Sequence, residues 1–249
     1  ADSALMRYFR EGGFHMVKRA EALGVITRGS RALCFAGTHG KTTTSSMAAH
    51  VLHHCPCGCN AFLGGILRNY DSNLLLAPDS DWTVVEADEY DRSFHHLRPH
   101  IAVITATDPD HLDIYGTEEA YLESFAHFTE LIRPGGSLVV HTGLKLHPRA
   151  GRDVSVFTYS RHEGDFHADN IRVADGTITF DFVHPGGRIA DIELGVPVQI
   201  NIDNAVAALA ACWLTGDLTP DAARIAMASY MGSERRFQFL LKQPDGGRV

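Results

Sequence analysis

The stretch Phe35-Ala36-Gly37-Thr38-His39-Gly40-Lys41-Thr42-Thr43-Thr44 combines two glycines, a lysine and a run of hydroxyls. That mixture suits a phosphate chain. Glycines let the backbone turn tightly enough to aim amide N–H groups at phosphate oxygens, the lysine adds positive charge, and the next hydroxyl offers an oxygen to Mg2+. The common phosphate-loop spacing would put its first glycine at position 35, which is Phe35, so the glycines here follow the shorter pattern G-x2-G-K-T. A glycine-rich helix cap would explain the glycines but not Gly40-Lys41-Thr42-Thr43-Thr44 as a unit. Gly37, Thr38, His39, Gly40, Lys41, Thr42 and Thr43 are therefore the candidate phosphate-binding residues, with Lys41 the charge and Thr42 a metal ligand.

Such a loop needs a metal carboxylate, and Thr83-Val84-Val85-Glu86 ends an apolar run in an acid, as Walker-B strands do. Glu86 is the leading metal ligand. Asp88, Glu89 and Asp91 follow it closely, a density of acids that goes beyond ordinary surface solvation. A third apolar run, residues 101–105, leads into Asp108-Pro109-Asp110-His111-Leu112-Asp113, where His111 is placed to ligate a second Mg2+ or to position a reacting group. A lone histidine is more often structural, but this one sits between acids at a strand end. Ligands of open α/β sheets lie outside the carboxyl ends of the strands, so the three motifs belong to one site.

The elements that must carry these residues alternate from residue 31 onward. Residues 32–36, 82–86, 101–105 and 137–140 read as buried strands, and residues 43–54 and 118–132 as amphipathic helices. In the latter, Tyr121, Phe125, Phe128 and Ile132 recur at helical spacing. The alternation predicts an α/β fold with a mostly parallel sheet flanked by helices. Residues 154–198 switch to period two between Gly and Asp turns, predicting a small antiparallel β elaboration from strands at 154–159, 166–173, 177–183 and 188–194. Helices return at 203–214 and 220–230, the latter with Thr219 as N-cap and Pro220 in its first turn. Residues 3–10 and 14–23 read as short helices, and 237–241 as a strand.

The 249 residues are 45% hydrophobic and 21% charged, with no apolar run near the ~20 residues of a membrane span, which excludes disordered, collagenous and transmembrane classes. A net charge of −8 argues against a broad surface for nucleic acid or anionic lipid but leaves room for a local anion pocket. No export signal opens the chain, so the cytoplasm is the expected compartment. Cys55, Cys57 and Cys59 form a tight cluster, while Cys34 and Cys212 fall in core segments. Zinc sites favour C-x2-4-C pairs with a second pair elsewhere, so the cluster reads as a reduced, ligand-free turn.

Gly37-Thr38-His39-Gly40-Lys41-Thr42-Thr43-Thr44, Glu86-Ala87-Asp88-Glu89-Tyr90-Asp91 and Asp108-Pro109-Asp110-His111-Leu112-Asp113, in this order, resemble the motifs of the Mur ligases, ATP-dependent amino-acid ligases of peptidoglycan synthesis. Asn201-Ile202-Asp203-Asn204-Ala205 is similar to the family's segment beside the adenine, and Arg235-Arg236-Phe237 to its hinge. The resemblance implies ATP and Mg2+ as cofactors. It also implies a first Mg2+ on Thr42 and Glu86, a second on Glu86 and His111, adenine contacts from Asn201 and Asn204, and Arg236 on the ATP phosphates. Lys41, Glu86, His111 and Arg236 would be the catalytic set. Ile200 stands where family members often carry His.

Lys18-Arg19-Ala20-Glu21-Ala22-Leu23-Gly24 and Phe62-Leu63-Gly64-Gly65 look most like the branch that joins L-alanine to UDP-N-acetylmuramate. The lack of any lysine between Lys41 and Lys145 agrees, because other branches place a carbamoylated lysine after the His motif. The runner-up is the recycling branch that attaches a ready-made tripeptide. A nucleotide-binding module inactive in isolation is the competing class, and folylpolyglutamate synthase is a third reading. The expected layout is a lead-in at 1–30 from a UDP-binding domain, a central ATP-binding domain at 31–233, and a hinge at 234–249 opening a C-terminal domain, the two outer domains being missing.

Overall fold

The computed structural model describes residues 3–235. Helix α1 (Ala4–Glu11) is capped by Ser3, whose hydroxyl accepts the Met6 N–H. Helix α2 (Arg19–Gly29) opens with the Glu21 carboxylate accepting the Lys18 N–H at 2.6 Å. Strand β1 (Arg31–Ala36) then passes through the glycine loop into α3 (Lys41–His53). A pair of strands, β2 (Asn60–Leu67) and β3 (Ser72–Leu75), precedes β4 (Trp82–Glu86) and a 3-10 segment at Tyr90–His96. Next come β5 (Ile101–Ile104), the one-turn helix α4 (Leu112–Tyr115), α5 (Glu118–Glu130), β6 (Ser137–His141) and β7 (Ser155–Tyr159). Strands β8 (His167–Ala174), β9 (Thr177–His184) and β10 (Gly187–Glu193) form a separate antiparallel sheet, followed by α6 (Ile200–Trp213) and α7 (Pro220–Ser229).

The main sheet runs β3-β2-β4-β1-β5-β6-β7, parallel throughout except for the β2–β3 pair. Strand β1 lies between β4 and β5, and its period-two alternation supplies two cores. Leu33 and Phe35 face α3, α6 and the small sheet, while Ala32, Cys34 and Ala36 face the layer of α2 and α5. The α5 aromatics behave as their spacing predicts: Tyr121, Phe125 and Phe128 are fully buried, and Phe128 stacks on Phe94 with ring centroids 4.8 Å apart. Each such ring contributes on the order of 2 kcal/mol by leaving water. Helix α3 is buried from Thr44 through Leu52 because α6 and α7 cover it opposite the sheet, and small residues on both helices allow the approach. Cys212 Sγ lies 3.6 Å from the Ala48 carbonyl oxygen.

The α/β class and the antiparallel elaboration stand as predicted, and Thr219 caps α7 with its hydroxyl accepting the Ala222 N–H. Four local readings change. Residues 155–159 do not join the antiparallel sheet; β7 pairs parallel to β6 as an edge strand of the main sheet, and its alternation reflects one solvent-facing side. The second helix covers Arg19–Gly29 rather than residues 14–23, its start set by the Glu21 cap. Helix α6 begins at Ile200, three residues before the expected start, so Asn201 is helical. The β2–β3 pair went unread because glycines and a reversal interrupt its apolar pattern. The strand predicted at 237–241 lies outside the described residues. Among the described residues no helix is long and apolar enough to cross a membrane.

Candidate active site

Register brings the motifs together. Phe35, just before the loop, pairs with Glu86 on β4 and with Val103 on β5, so three strands end at the same level around Gly37. The loop needs its glycines there. Gly37 (φ 140°) lies so close to β5 that a methyl group would overlap Thr105 Oγ1, and Gly40 (φ 85°) passes within 2.9 Å, measured from such a methyl, of Asn204 Oδ1. Thr105 then fastens the loop, its hydroxyl set between the carbonyls of Ala36 and His39. Thr38 ties the loop to the next segment through its N–H to Ala106 O at 3.1 Å and its hydroxyl to Asp108 O at 2.7 Å.

Helix α3 starts at Lys41 with no side chain capping its first N–H groups, which leaves donors for an anion. They border a cavity of about 250 Å3 lined by Thr38, His39, Gly40, Lys41, Thr42, Thr43, Glu86 and Asp88. Six of the predicted phosphate-loop residues and Glu86 thus meet in one place, while Gly37 is buried and does not line the cavity. Burial pushes the Glu86 carboxyl above the usual range, against the pull of Thr42 and the Lys41 ammonium. Its Oε2 is buried with no hydrogen-bond partner. A desolvated carboxylate with an unused oxygen, beside a threonine hydroxyl and open to a phosphate-sized cavity, fits a hard cation such as Mg2+. Among the described residues no group of three or more His, Cys, Asp or Glu is arranged as a metal cage. Mg2+ does not require one, since it keeps waters and takes one or two carboxylates plus phosphate oxygens.

The other predicted residues stand elsewhere. His111 does not line this cavity; it caps α4 in a left-handed conformation (φ 52°), its ring edge-on to Tyr90 at 5.1 Å and its Nε2 3.7 Å from Asp110. Asn201 and Asn204 are 1% and 9% exposed and already engaged in the fold. Asn204 Oδ1 accepts from the Thr44 hydroxyl at 3.2 Å, Asn204 Nδ2 donates to Asn201 Oδ1, and Asn201 Nδ2 donates to Val196 O, each at 3.1 Å in the latter two cases. The pair braces α6 against α3 beneath the loop. Arg236 lies outside the described residues. Its neighbour Arg235 lines an adjoining cavity of about 420 Å3 with Thr42, Gly64 and Gly65.

Three residues joined the site without being predicted as binders: Asp88 lines the cavity, and Gly64 and Glu89 stand against Glu86 and Lys41. Gly64 on β2 faces Glu86, where a methyl group would collide with the carboxylate. Glu89 is 1% exposed and pairs with Lys41, whose Nζ donates to Oε1 at 3.0 Å. A buried lysine at the loop calls for a counter-charge, and the acid-rich motif supplies candidates, but sequence alone does not say which acid turns inward. The cysteines carry no such signal: Cys34, Cys55, Cys59 and Cys212 are buried, and burial pushes the Cys55 and Cys57 thiols up to about 11 and about 12.

The chain is 58% identical over 235 residues to a UDP-N-acetylmuramate–L-alanine ligase of Phocaeicola vulgatus, covering 94% of this chain and 51% of that protein. It is 60% identical over 238 residues to the Parabacteroides distasonis protein of the same name, covering 95% and 51%. The chain therefore spans about half the length of these relatives. Among solved structures, the UDP-N-acetylmuramate-alanine ligase of Thermotoga maritima superposes with a TM-score of 0.80 at 26% identity, over 98% of this chain and 55% of that one. The family model described as the Mur ligase middle domain matches residues 35–212. That span holds the glycine loop, the Glu86 strand, the His111 segment and the Asn201–Asn204 brace, and by it the chain belongs to the Mur ligase family.

Proposed function

We propose that this chain is the ATP-binding central part of an enzyme that ligates L-alanine to UDP-N-acetylmuramate. Residues 31–233 would form the ATP-binding domain, with 1–30 leading in from a UDP-binding domain and 234–249 forming the hinge to a domain that presents the amino acid. The observation that carries the reading is the cavity that brings the uncapped start of α3, Lys41 and Thr42 together with Glu86, one of whose carboxylate oxygens is buried without a hydrogen-bond partner. Identity near 60% with ligases of that name favours L-alanine over a tripeptide as the amine.

In this reaction the substrate carboxylate attacks the γ-phosphorus of ATP, the bond to the bridging oxygen breaks, and ADP leaves. The amine then attacks the acyl carbon, phosphate departs, and the new amide loses a proton. The chain's own residues act mainly by charge and position. Lys41 and the first amides of α3 hold the β- and γ-phosphate oxygens, with Gly37, Thr38, His39, Gly40 and Thr43 shaping the loop. Thr42 and Glu86 would hold a first Mg2+, and Arg236 would reach the phosphates from the hinge; His111, which does not line this cavity, could share a second with Glu86 only after moving toward it. A Mg2+ held by Thr42 and Glu86 would supply neutralisation of phosphate charge. Asn201 and Asn204 set the base end through the α6 brace.

The test is calorimetric titration of the chain with Mg2+ and the non-hydrolysable analogue AMP-PNP, beside Lys41→Ala. The expected result is Mg2+-dependent binding that the substitution weakens strongly while leaving measurable residual binding. In a chain extended to the relatives' full length, phosphate release should require both UDP-N-acetylmuramate and L-alanine. A folded wild-type chain and a folded full-length protein that both fail to bind AMP-PNP would overturn the reading.

A further inference from the structure

Among the four acids of Glu86-Ala87-Asp88-Glu89-Tyr90-Asp91, Glu89 is the one fully buried. It lies behind Lys41 rather than on the cavity wall: Lys41 lines the cavity and Glu89 does not. The lysine is 14% exposed, so this is a desolvated ion pair, unlike the exposed Lys18–Asp91 pair at 3.2 Å nearby. An ammonium has three N–H bonds. One donates to the Gly37 carbonyl at 2.8 Å and one to Glu89 Oε1 at 3.0 Å, with Oε2 2.8 Å from the same nitrogen but without hydrogen-bond alignment. The third is left for a ligand.

Glu89 is itself held in place. The Tyr115 hydroxyl donates to its backbone carbonyl at 2.5 Å, the Arg92 N–H donates to the same carbonyl at 3.0 Å, and the Arg92 guanidinium lies 4.7 Å from the Tyr115 ring centre. The chain turns sharply here, with Asp91 and Arg92 both left-handed (φ 51° and 55°). These contacts fix the backbone of Glu89, and with it the point from which its carboxylate reaches Lys41. If nucleotide drew Lys41 away, a buried carboxylate would be stranded without a partner, which is strongly unfavourable.

We propose that Glu89 is a positioning residue for Lys41, a fixed anchor that stays paired while the third N–H engages a phosphate oxygen. The inference rests on the reading of the cavity as the ATP site. It separates Glu89 in role from Glu86: one carboxylate faces the cavity and the other holds the lysine from behind.

The experiment measures binding of Mg2+ with AMP-PNP, and of AMP alone, to the full 249-residue chain and to Glu89→Gln, Lys41→Ala and the double variant. Glu89→Gln preserves side-chain volume while removing the charge, and a melting curve checks that it folds. The expected result is on the order of tenfold weaker AMP-PNP binding in Glu89→Gln, the loss of one charge-assisted contact. AMP, which lacks the phosphates that Lys41 would touch, should bind as before, and Glu89→Gln should have no further effect once Lys41 is alanine. Three outcomes overturn the inference: unchanged or tighter AMP-PNP binding, which would make Glu89 a competitor of the nucleotide; an equal loss of AMP; or an undiminished effect in the Lys41→Ala background. Should Glu89→Gln unfold the chain, Glu89→Asp, which keeps the charge but draws it back from Lys41, is measured in the same cycle, and weaker AMP-PNP binding with unchanged AMP binding is again the expected result. Binding that needs Lys41 but ignores Glu89 defeats this inference alone, whereas a folded wild-type chain that binds no AMP-PNP defeats it together with the ATP reading.

Discussion

The Glu86 carboxylate occupies the space that a side chain on Gly64 would fill. Both oxygens of Glu86 lie against the position of the missing Cβ, across the β2–β4 pairing. Gly64 has no left-handed backbone to explain it, so its use here is room rather than conformational freedom. Gly64→Ala is expected to push Glu86 off its position and weaken Mg2+-dependent AMP-PNP binding by on the order of tenfold or more, the scale of a lost charged contact. Titration with and without Mg2+ checks this. Wild-type affinity in the variant would show that Glu86 is not needed where it stands.

In a protein of the relatives' full length, Lys41→Ala or Glu86→Ala should lower turnover about a hundredfold or more, as loss of one transition-state charge contact does. Steady-state phosphate release measures it. Near-normal turnover in either variant would remove that residue from the site.

Asn204 links the loop, α3 and α6, so its first role is structural. Asn204→Ala would leave the buried Asn201 oxygen and the Thr44 hydroxyl without their partner. A cost of about 1–3 kcal/mol in the nucleotide-free protein is expected. Urea unfolding reads it directly. An unchanged midpoint would mean that the asparagine serves a bound ligand alone.

His50, 3% exposed on α3, is bonded by Tyr70 Oη at 2.8 Å on Nδ1 and by Ser229 Oγ at 3.0 Å on Nε2. Burial, helped by His54 and His53, lowers its pKa from 6.5 to about 4. Between those values the unfolded chain binds a proton that the native protein refuses. The contribution is therefore intact above pH 6.5 and declines as the pH falls toward 4, by up to about 3 kcal/mol. His50→Gln should be less stable at neutral pH yet lose less stability between pH 7 and pH 5. Urea melts of both proteins at the two pH values decide it, and parallel losses would assign the acid sensitivity to other groups.

The local chemistry was legible in the residues themselves. Gly37, Gly40, Lys41 and Thr42 announce a phosphate loop because only glycines tolerate its turns, and the apolar alternation around them announces a parallel sheet. Glu86 was readable as a strand-end acid for the same reason, and Thr219 with Pro220 as a helix start. These are features of short range, set by backbone sterics and by the period of each element. Tertiary structure decided the rest. Which acid of the 86–91 motif pairs with Lys41 depends on a left-handed turn at Asp91 and Arg92 and on Tyr115, more than twenty residues away. That β7 extends the main sheet, that Gly64 makes room for Glu86, and that Asn201 and Asn204 turn inward all follow from strand order and helix packing. Those are contacts between distant segments, and a one-dimensional period carries no record of which segments become neighbours.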